Sequence, residues 1–484
     1  MNLPTQLNLE HLKDKDISHQ NNIFPERVLQ IGEGNFMRGF IDWMVFEMNN
    51  KTNFQGSVVT IQPTPRGKII PKLNRQDGLY TLVRRGIEYG KPVEKIEIIS
   101  SITRGINPYS DWGEALTVAT SEYIEFLFSN TTEAGLVYEN EAYQESVSPL
   151  SFPGKVVALL FHRYQYYNGA KDKGWIIIPC ELVENNGDVL KSICQQIIKD
   201  WKLPILFSKW IDESCTFCNT LVDRIVPGYP DKEADNWFER LGYSDELLTM
   251  AEPYHLFVIE GPKQLSGKLP FVEAGLNVKF EPIEFYRNLK VRLLNGPHSI
   301  MSVIGLQLEV ETVKEALEHP LLGNFIQNVM RKEIALTLPK SEDKKINEYI
   351  SEVIDRFSNP YLHHLLKDIS LNSYSKFYVR LWPIVRESDK GYRKKLLFSL
   401  AALITFFYNR EGIKDNEEVV SMFAELYSSN FTNQSVLQKF IEEKILLSWG
   451  MDTSEISDVA QELVQSISII LNEGMEKALA LQLK

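Results

Sequence analysis

The stretch "RVLQIGEGNFMRGFIDWMVFEMN" (27–49) decides the fold. Its first five residues read as a short buried strand, two closely spaced glycines punctuate it, and an apolar segment of helical length follows at once. "SVVTIQ" (57–62) is a second strand, beginning about 30 residues after the first, which is the length of one βαβ unit. Two strands joined by a helical crossover must run parallel, and a parallel sheet needs helices on both faces.

Working outward, the same alternation continues. Further strands are predicted at 80–85, 93–102, 123–130, 174–180 and 255–261, with helices at 154–167 and 189–201 between them. Beyond residue 275 the texture changes to long amphipathic segments at 286–308, 312–334, 343–357, 391–409, 416–428 and 455–482. The Gly- and Pro-rich segment 260–282 reads as the connector. The expected architecture is an α/β domain over 1–274 followed by a mainly α-helical domain over 275–484.

Composition narrows the class of partner. The 484 residues are 44% hydrophobic and 24% charged, enough for a large core in two or three domains. A net charge of −12 argues against a nucleic-acid partner, which needs clustered Lys and Arg, and favours a small molecule. Cys180, Cys194, Cys215 and Cys218 are too few to staple a chain this long, so a reducing compartment is expected. Cys215 and Cys218 form a lone CxxC without a second metal-ligand pair, and are read as packing residues rather than zinc or redox ligands. The N-terminal twenty residues lack the apolar core of a secretory signal, and the apolar run 396–408 is too short to span a membrane. A cytoplasmic location without membrane partners is expected.

In "IGEGNFMRGF" (31–40) the glycines are Gly32, Gly34 and Gly39, so a G-x-G-x-x-G pattern fails at its third position, Met37. The placement after a strand and before a helix is nonetheless where backbone meets a pyrophosphate at a helix N-terminus. The second strand ends at Gln62, with Arg66 and Lys68 nearby, where an acid would ordinarily hold the ribose. Glutamine can bond a ribose hydroxyl and arginine a 2′-phosphate, so NAD and NADP both stay open on these residues.

A second stretch, "KVRLLNGPHSI" (290–300), sets Lys290, Asn295 and His298 in an otherwise apolar run. At about 100° per residue they fall at roughly 0°, 140° and 80° of one helical wheel, with Arg292 turned away. A partly desolvated lysine can exchange a proton with a carbonyl or hydroxyl oxygen, an asparagine amide can donate to an alkoxide, and a histidine can bond the same hydroxyl. The plain structural alternative is a snorkelling Lys290, an Asn295 capping a helix that starts at Pro297, and a satisfied core His298.

With these residues in view, the chain resembles the polyol-specific long-chain dehydrogenases that include mannitol dehydrogenase. Their K-x4-N-x2-H signature matches Lys290, Asn295 and His298, and their N-x-x-V-D-R-I element matches Asn219, Val222, Asp223, Arg224 and Ile225. Within the family it is most similar to the branch that interconverts D-tagaturonate and D-altronate, through "IGEGNFMRGF", "QPTPRG" (62–67), "SNTTEAG" (129–135), "PCELVENNG" (179–187), "EPYHLFVIEG" (252–261) and "DISLNSYSKFYVR" (368–380).

The resemblance implies a Rossmann-type N-terminal domain binding NAD, a helical substrate domain and a reaction without a metal. It implies Lys290 as acid/base, Asn295 as alkoxide donor and His298 as substrate-orienting partner. Cofactor contacts would come from Ile31, Gly32, Gly34, Asn35, Phe36 and Gln62, with Asn130, Thr131, Thr132 and Glu133 beside the nicotinamide. Asp223 and Asn219 would face substrate, a uronate or its aldonate, whose carboxylate needs a cation; Lys376 and Arg380 are the candidates, supported by Asn372 or Ser373. Two departures stand out. Where the family reads C-D-N this chain has Cys180, Glu181 and Leu182, so an oxyanion asparagine is missing, with Asn185 and Asn186 as the nearest replacements. Pro297 replaces a helix-compatible residue between Asn295 and His298. Fructuronate reduction, a sugar-alcohol phosphate dehydrogenase and, outside catalysis, a nucleotide-sensing regulator are the competing readings.

Overall fold

The computed structural model describes residues 5–14, 24–408, 414–428 and 431–484. Two compact units divide the chain, one of residues 1–85 and 92–284, the other of residues 86–91 and 285–484.

The first unit is built on six parallel strands, β1 (Glu26–Ile31), β2 (Ser57–Ile61), β3 (Ile102–Ile106), β4 (Phe126–Ser129), β5 (Ile176–Pro179) and β6 (Thr216–Phe217). They lie in the order 3-2-1-4-5-6, the doubly wound arrangement in which the chain reverses direction between β1 and β4. Successive side chains explain why the sheet is covered twice: Val28, Val58, Phe126, Phe128 and Ile178 enter one core, while Leu29, Ile31, Val59, Leu127 and Ile177 enter the other. The helices Phe152–Tyr166 and Asn186–Asp200 appear where the periodicity places them, the first capped by Ser151 Oγ accepting from Gly154 N.

Several expectations are corrected. The strand expected over 93–102 is two, Lys91–Ile99 and Ile102–Ile106, because Ser101 breaks the run: its hydroxyl donates to Asp42 O at 2.7 Å. Lys91–Ile99 and Tyr80–Glu88 belong to a separate three-stranded sheet with Thr249–Ala251. The strand Leu256–Glu260 pairs antiparallel with Asn219–Asp223, outside the parallel sheet. Segment 260–282 is no free connector, since Leu269, Phe271 and Val278 are fully or almost fully buried in the first unit's core.

The second unit is mainly helical. Asp343–Phe357 and Glu417–Ser428 match the expected segments closely, and Lys394–Tyr408 matches up to residue 409, which lies outside the described residues. The segment 312–334 breaks at His319, whose extended backbone ends one helix and starts another at Pro320. The last segment breaks at Gly474, held at φ +84°. Among the described residues no helix is long and apolar enough to cross a membrane.

Candidate active site

In the first unit the glycine turn sits at the carboxyl end of β1, at the point where the strand order reverses. Gly32 holds φ +110°, its N–H donates to Ile61 O at 3.0 Å, and a Cβ there would stand 2.4 Å from Asn130 O. No side chain fits between β1 and β4. Gly34 opens the helical run that continues to Lys51, no side chain caps that run, and nothing lies within 4 Å of where a Cβ would be. The start of this run is thus uncapped and exposed at Gly34 and Asn35, as an anion site requires.

The buried Arg38 guanidinium braces the turn, donating to Glu33 O and Asn35 Oδ1 at 2.5 Å each and to Thr249 Oγ1 at 3.2 Å. Phe36 stacks on Phe40 with centroids 4.9 Å apart. The missing third glycine has a local reason: Met37 fills the core instead, and Gly39 two residues on makes the close approach, with a Cβ position 2.8 Å from Val226 Cγ1. A π turn over Arg38–Asp42 accommodates the changed spacing. Burial raises the Glu33 carboxyl to about 7 against the opposing pull of its own backbone N–H and Arg38, and one of its oxygens is buried without a partner.

The segment Asn130 to Glu133 follows β4 directly. Asn130 N donates to Ile31 O at 3.1 Å, and its Nδ2 to Cys180 O at 2.7 Å. The buried Glu181 carboxylate accepts from Thr131 N, Thr131 Oγ1 and Ser129 Oγ, tying this loop to the end of β5. Thr132 has φ 67° and ψ 169°, a strained backbone for a β-branched residue, just before the short turn Glu133–Gly135. The structure thus brings Gly32 and Asn130 together. Gln62 lies at the end of β2, its side chain buried under the following loop with Nε2 donating to Thr64 O at 2.7 Å and Oε1 left without a partner.

Asn219 and Asp223 start and end one strand, and Asn219 exchanges hydrogen bonds with Asp188. Asn186 cannot replace the missing oxyanion donor. Its Nδ2 donates to Pro179 O, Glu181 O and Thr220 Oγ1, and its Oδ1 accepts from Gly187 N and Thr220 N. Asn185 is exposed in a left-handed conformation, and Leu182 is exposed too. Cys215 and Cys218 are free and buried, with burial pushing both thiols up to about 12, which leaves no reactive thiolate.

In the second unit, Lys290–Asn295 is a π turn inside a helix that runs from Ile283 to Gln307, marked by Gly296 N–H donating to Val291 O. The wheel expected from α geometry therefore changes. Residues five apart stack in a π turn much as residues four apart do in an α-helix, so Lys290 and Asn295 lie closer to one face than the α wheel allows. Pro297 neither starts nor breaks the helix, because the widened turn just before it absorbs the missing donor and the ring. Asn295 is helical and caps nothing through its side chain. Arg292 points away, bonded to Thr337 and Glu387.

His298 lies half-buried between Phe357 and His364, with ring centroids at 4.5 and 5.0 Å, and its Nε2 is buried without a partner. A satisfied core histidine would have one. Burial first, then His364, Arg356, Arg380 and Lys376, holds the ring well below its ordinary pKa, so it is neutral. Arg380 Nη1 donates to Asn295 O at 3.3 Å and to Ser299 Oγ at 3.1 Å, while Lys376 Nζ donates to Ile369 O at 2.9 Å. Ser373 Oγ is buried with no partner, and Asn372 is left-handed at the start of their helix. His298, Lys376 and Arg380 thus lie near one another, and Arg380 reaches the backbone of Asn295, which shares the π turn with Lys290. Sequence reasoning missed Arg356, Phe357 and His364 beside His298 and Arg38 and Glu33 at the glycine turn; only the histidine pair "HH" (363–364) offered a signal.

A family model described as the mannitol dehydrogenase Rossmann domain matches residues 26–272, and one described as the mannitol dehydrogenase C-terminal domain matches 282–471. An altronate oxidoreductase of Halalkalibacterium halodurans is 44% identical, the match covering 96% of this chain and 94% of that protein. That of Bacillus subtilis is 40% identical, over 96% and 97%. Among solved structures, a substrate-free D-sorbitol dehydrogenase has a TM-score of 0.79 at 21% identity, covering 98% of this chain and 100% of the other. Pseudomonas fluorescens mannitol 2-dehydrogenase, solved with NAD and D-mannitol, has 0.64 at 18% identity over 99% of each.

Proposed function

The chain belongs to the mannitol dehydrogenase family, oxidoreductases of polyols and sugar acids, and on that premise we propose that it reduces the keto group of D-tagaturonate to D-altronate with NADH. The observation that carries this reading is His298, whose imidazole nitrogen has no partner, with Lys376 and Arg380 near it and Lys290 and Asn295 in the π turn just before it on the same helix. The relatives named altronate oxidoreductase support the choice of a sugar acid over a neutral polyol.

The glycine turn fits a pyrophosphate, with uncapped N–H groups at Gly34 and no room for a side chain at Gly32. A bound nicotinamide would supply the hydride. As the substrate carbonyl becomes an alkoxide, the Lys290 ammonium gives it a proton, and Asn295 Nδ2 donates to the same oxygen while charge develops there. His298 Nε2 meets a substrate hydroxyl, and Lys376 and Arg380 hold the carboxylate.

The test is NADH consumption by purified, chelator-treated protein offered tagaturonate, fructuronate, fructose and a sugar phosphate, with NADPH as control. Preference for tagaturonate with NADH supports the reading in full. Preference for fructuronate keeps the trio's roles and moves the substrate, and no turnover refutes the enzyme reading. Lys290→Met is expected to lower kcat by about 100-fold or more with NADH affinity unchanged.

A further inference from the structure

The ring of His364 meets that of His298 edge to face, at 5.0 Å and 72°. Its backbone is held from both sides. His364 O accepts from Val313 N at 3.0 Å, Leu366 N donates to Glu311 O at 2.8 Å, and Thr312 and Leu365 form an isolated antiparallel bridge. A histidine fixed against the one histidine ring among the described residues whose Nε2 is buried and unpartnered is placed to touch whatever that nitrogen binds.

We propose that His364 binds a substrate hydroxyl adjacent to the one taken by His298, and thereby sets which epimer of a keto sugar acid the site accepts. The inference rests on the reading of the substrate as a keto sugar acid. Its physical basis is a division of labour. Burial, opposed by Asp368 and joined by Arg356, lowers the pKa of His364, as burial and nearby cations lower that of His298, so each ring is neutral, with one donor and one acceptor nitrogen. A hydroxyl also donates and accepts, whereas a carboxylate only accepts. Neutral imidazoles therefore match the hydroxyls, and the positive charges of Lys376 and Arg380 match the carboxylate. Two rings about 5 Å apart, each with a hydrogen-bond reach of about 2.8 Å, span hydroxyls on neighbouring carbons.

The test compares His364→Phe, which keeps a ring against His298, with His364→Asn, which keeps a donor and an acceptor. Both are assayed on the preferred keto sugar acid and on its epimer at one hydroxyl-bearing carbon. His364→Phe is expected to raise KM at least tenfold with kcat within threefold, and to bring the kcat/KM ratio of the two epimers toward one; His364→Asn should retain part of the discrimination. Unchanged KM and epimer ratio in His364→Phe would overturn the proposal. A readout independent of turnover is the imidazole NMR signal of His364, assigned by its loss in His364→Asn. Movement of that signal on adding D-altronate supports the site even if no reduction is detected, in which case the functional reading alone fails. A stationary signal while that of His298 moves overturns it.

Discussion

Glu33 stands between Gly32 and Gly34 in the turn after β1, 7% exposed, with its carboxyl raised by burial from 4.5 to about 7. Replacing it with glutamine keeps the shape and removes the titration. The sign follows from linkage: a carboxyl whose folded pKa lies above its unfolded value costs almost nothing below pH 4.5, and its penalty grows as pH rises from there to about 7 and levels off above. This carboxyl lowers stability by under about 1 kcal/mol at pH 5, where it stays protonated in the fold, and by about 3 kcal/mol at pH 8, using about 1.4 kcal/mol per unit. The Glu33→Gln variant should therefore gain about 2 kcal/mol over the parent between those two pH values. Urea unfolding of both proteins at pH 5 and pH 8 measures it, and the difference of differences cancels other titrating groups. A pyrophosphate beside the turn disfavours the carboxylate further, so NADH affinity should fall above pH 7 in the parent and stay flat in the variant, followed by fluorescence titration. An identical stability gap at both pH values would refute the burial argument.

Other consequences follow from specific contacts. Gly39→Ala should destabilise by about 2 kcal/mol from overpacking against Val226, and Val226→Ala should restore most of it, read from melting curves of the single and double variants. Asn186→Ala should lower stability by about 3 kcal/mol through buried groups left unpaired, while kcat per folded enzyme stays within threefold, because Asn186 is committed to the backbone around β5. Arg380→Met should raise KM for the keto acid at least tenfold, with a smaller change for a neutral ketose, in steady-state assays.

The doubly wound sheet was legible because its strands are short apolar runs separated by helical spacing, and burial on both faces leaves no alternation to misread. Thr216–Phe217 and Asn219–Asp223 were not legible, being too short or too polar to stand out from their surroundings. The resemblance to the mannitol dehydrogenase family is borne out along both halves. Helical spacing put Lys290, Asn295 and His298 on one side but misjudged their angles, since a 3.6-residue wheel carries no trace of a π turn. His364 lay beyond reach for another reason: its nearness to His298 is made by the bridge between Thr312 and Leu365, a long-range contact without local periodicity.

The π turn also says how the site responds to changes in length. It is a helix carrying one surplus residue between Lys290 and Asn295. Deleting Arg292 or Val291 would return the segment to α spacing with Lys290 and Asn295 four apart, so both would keep nearly the face they have now. A one-residue insertion has no such slack to use and would turn Lys290 away from His298 by about 100°, so the segment tolerates losing a residue better than gaining one.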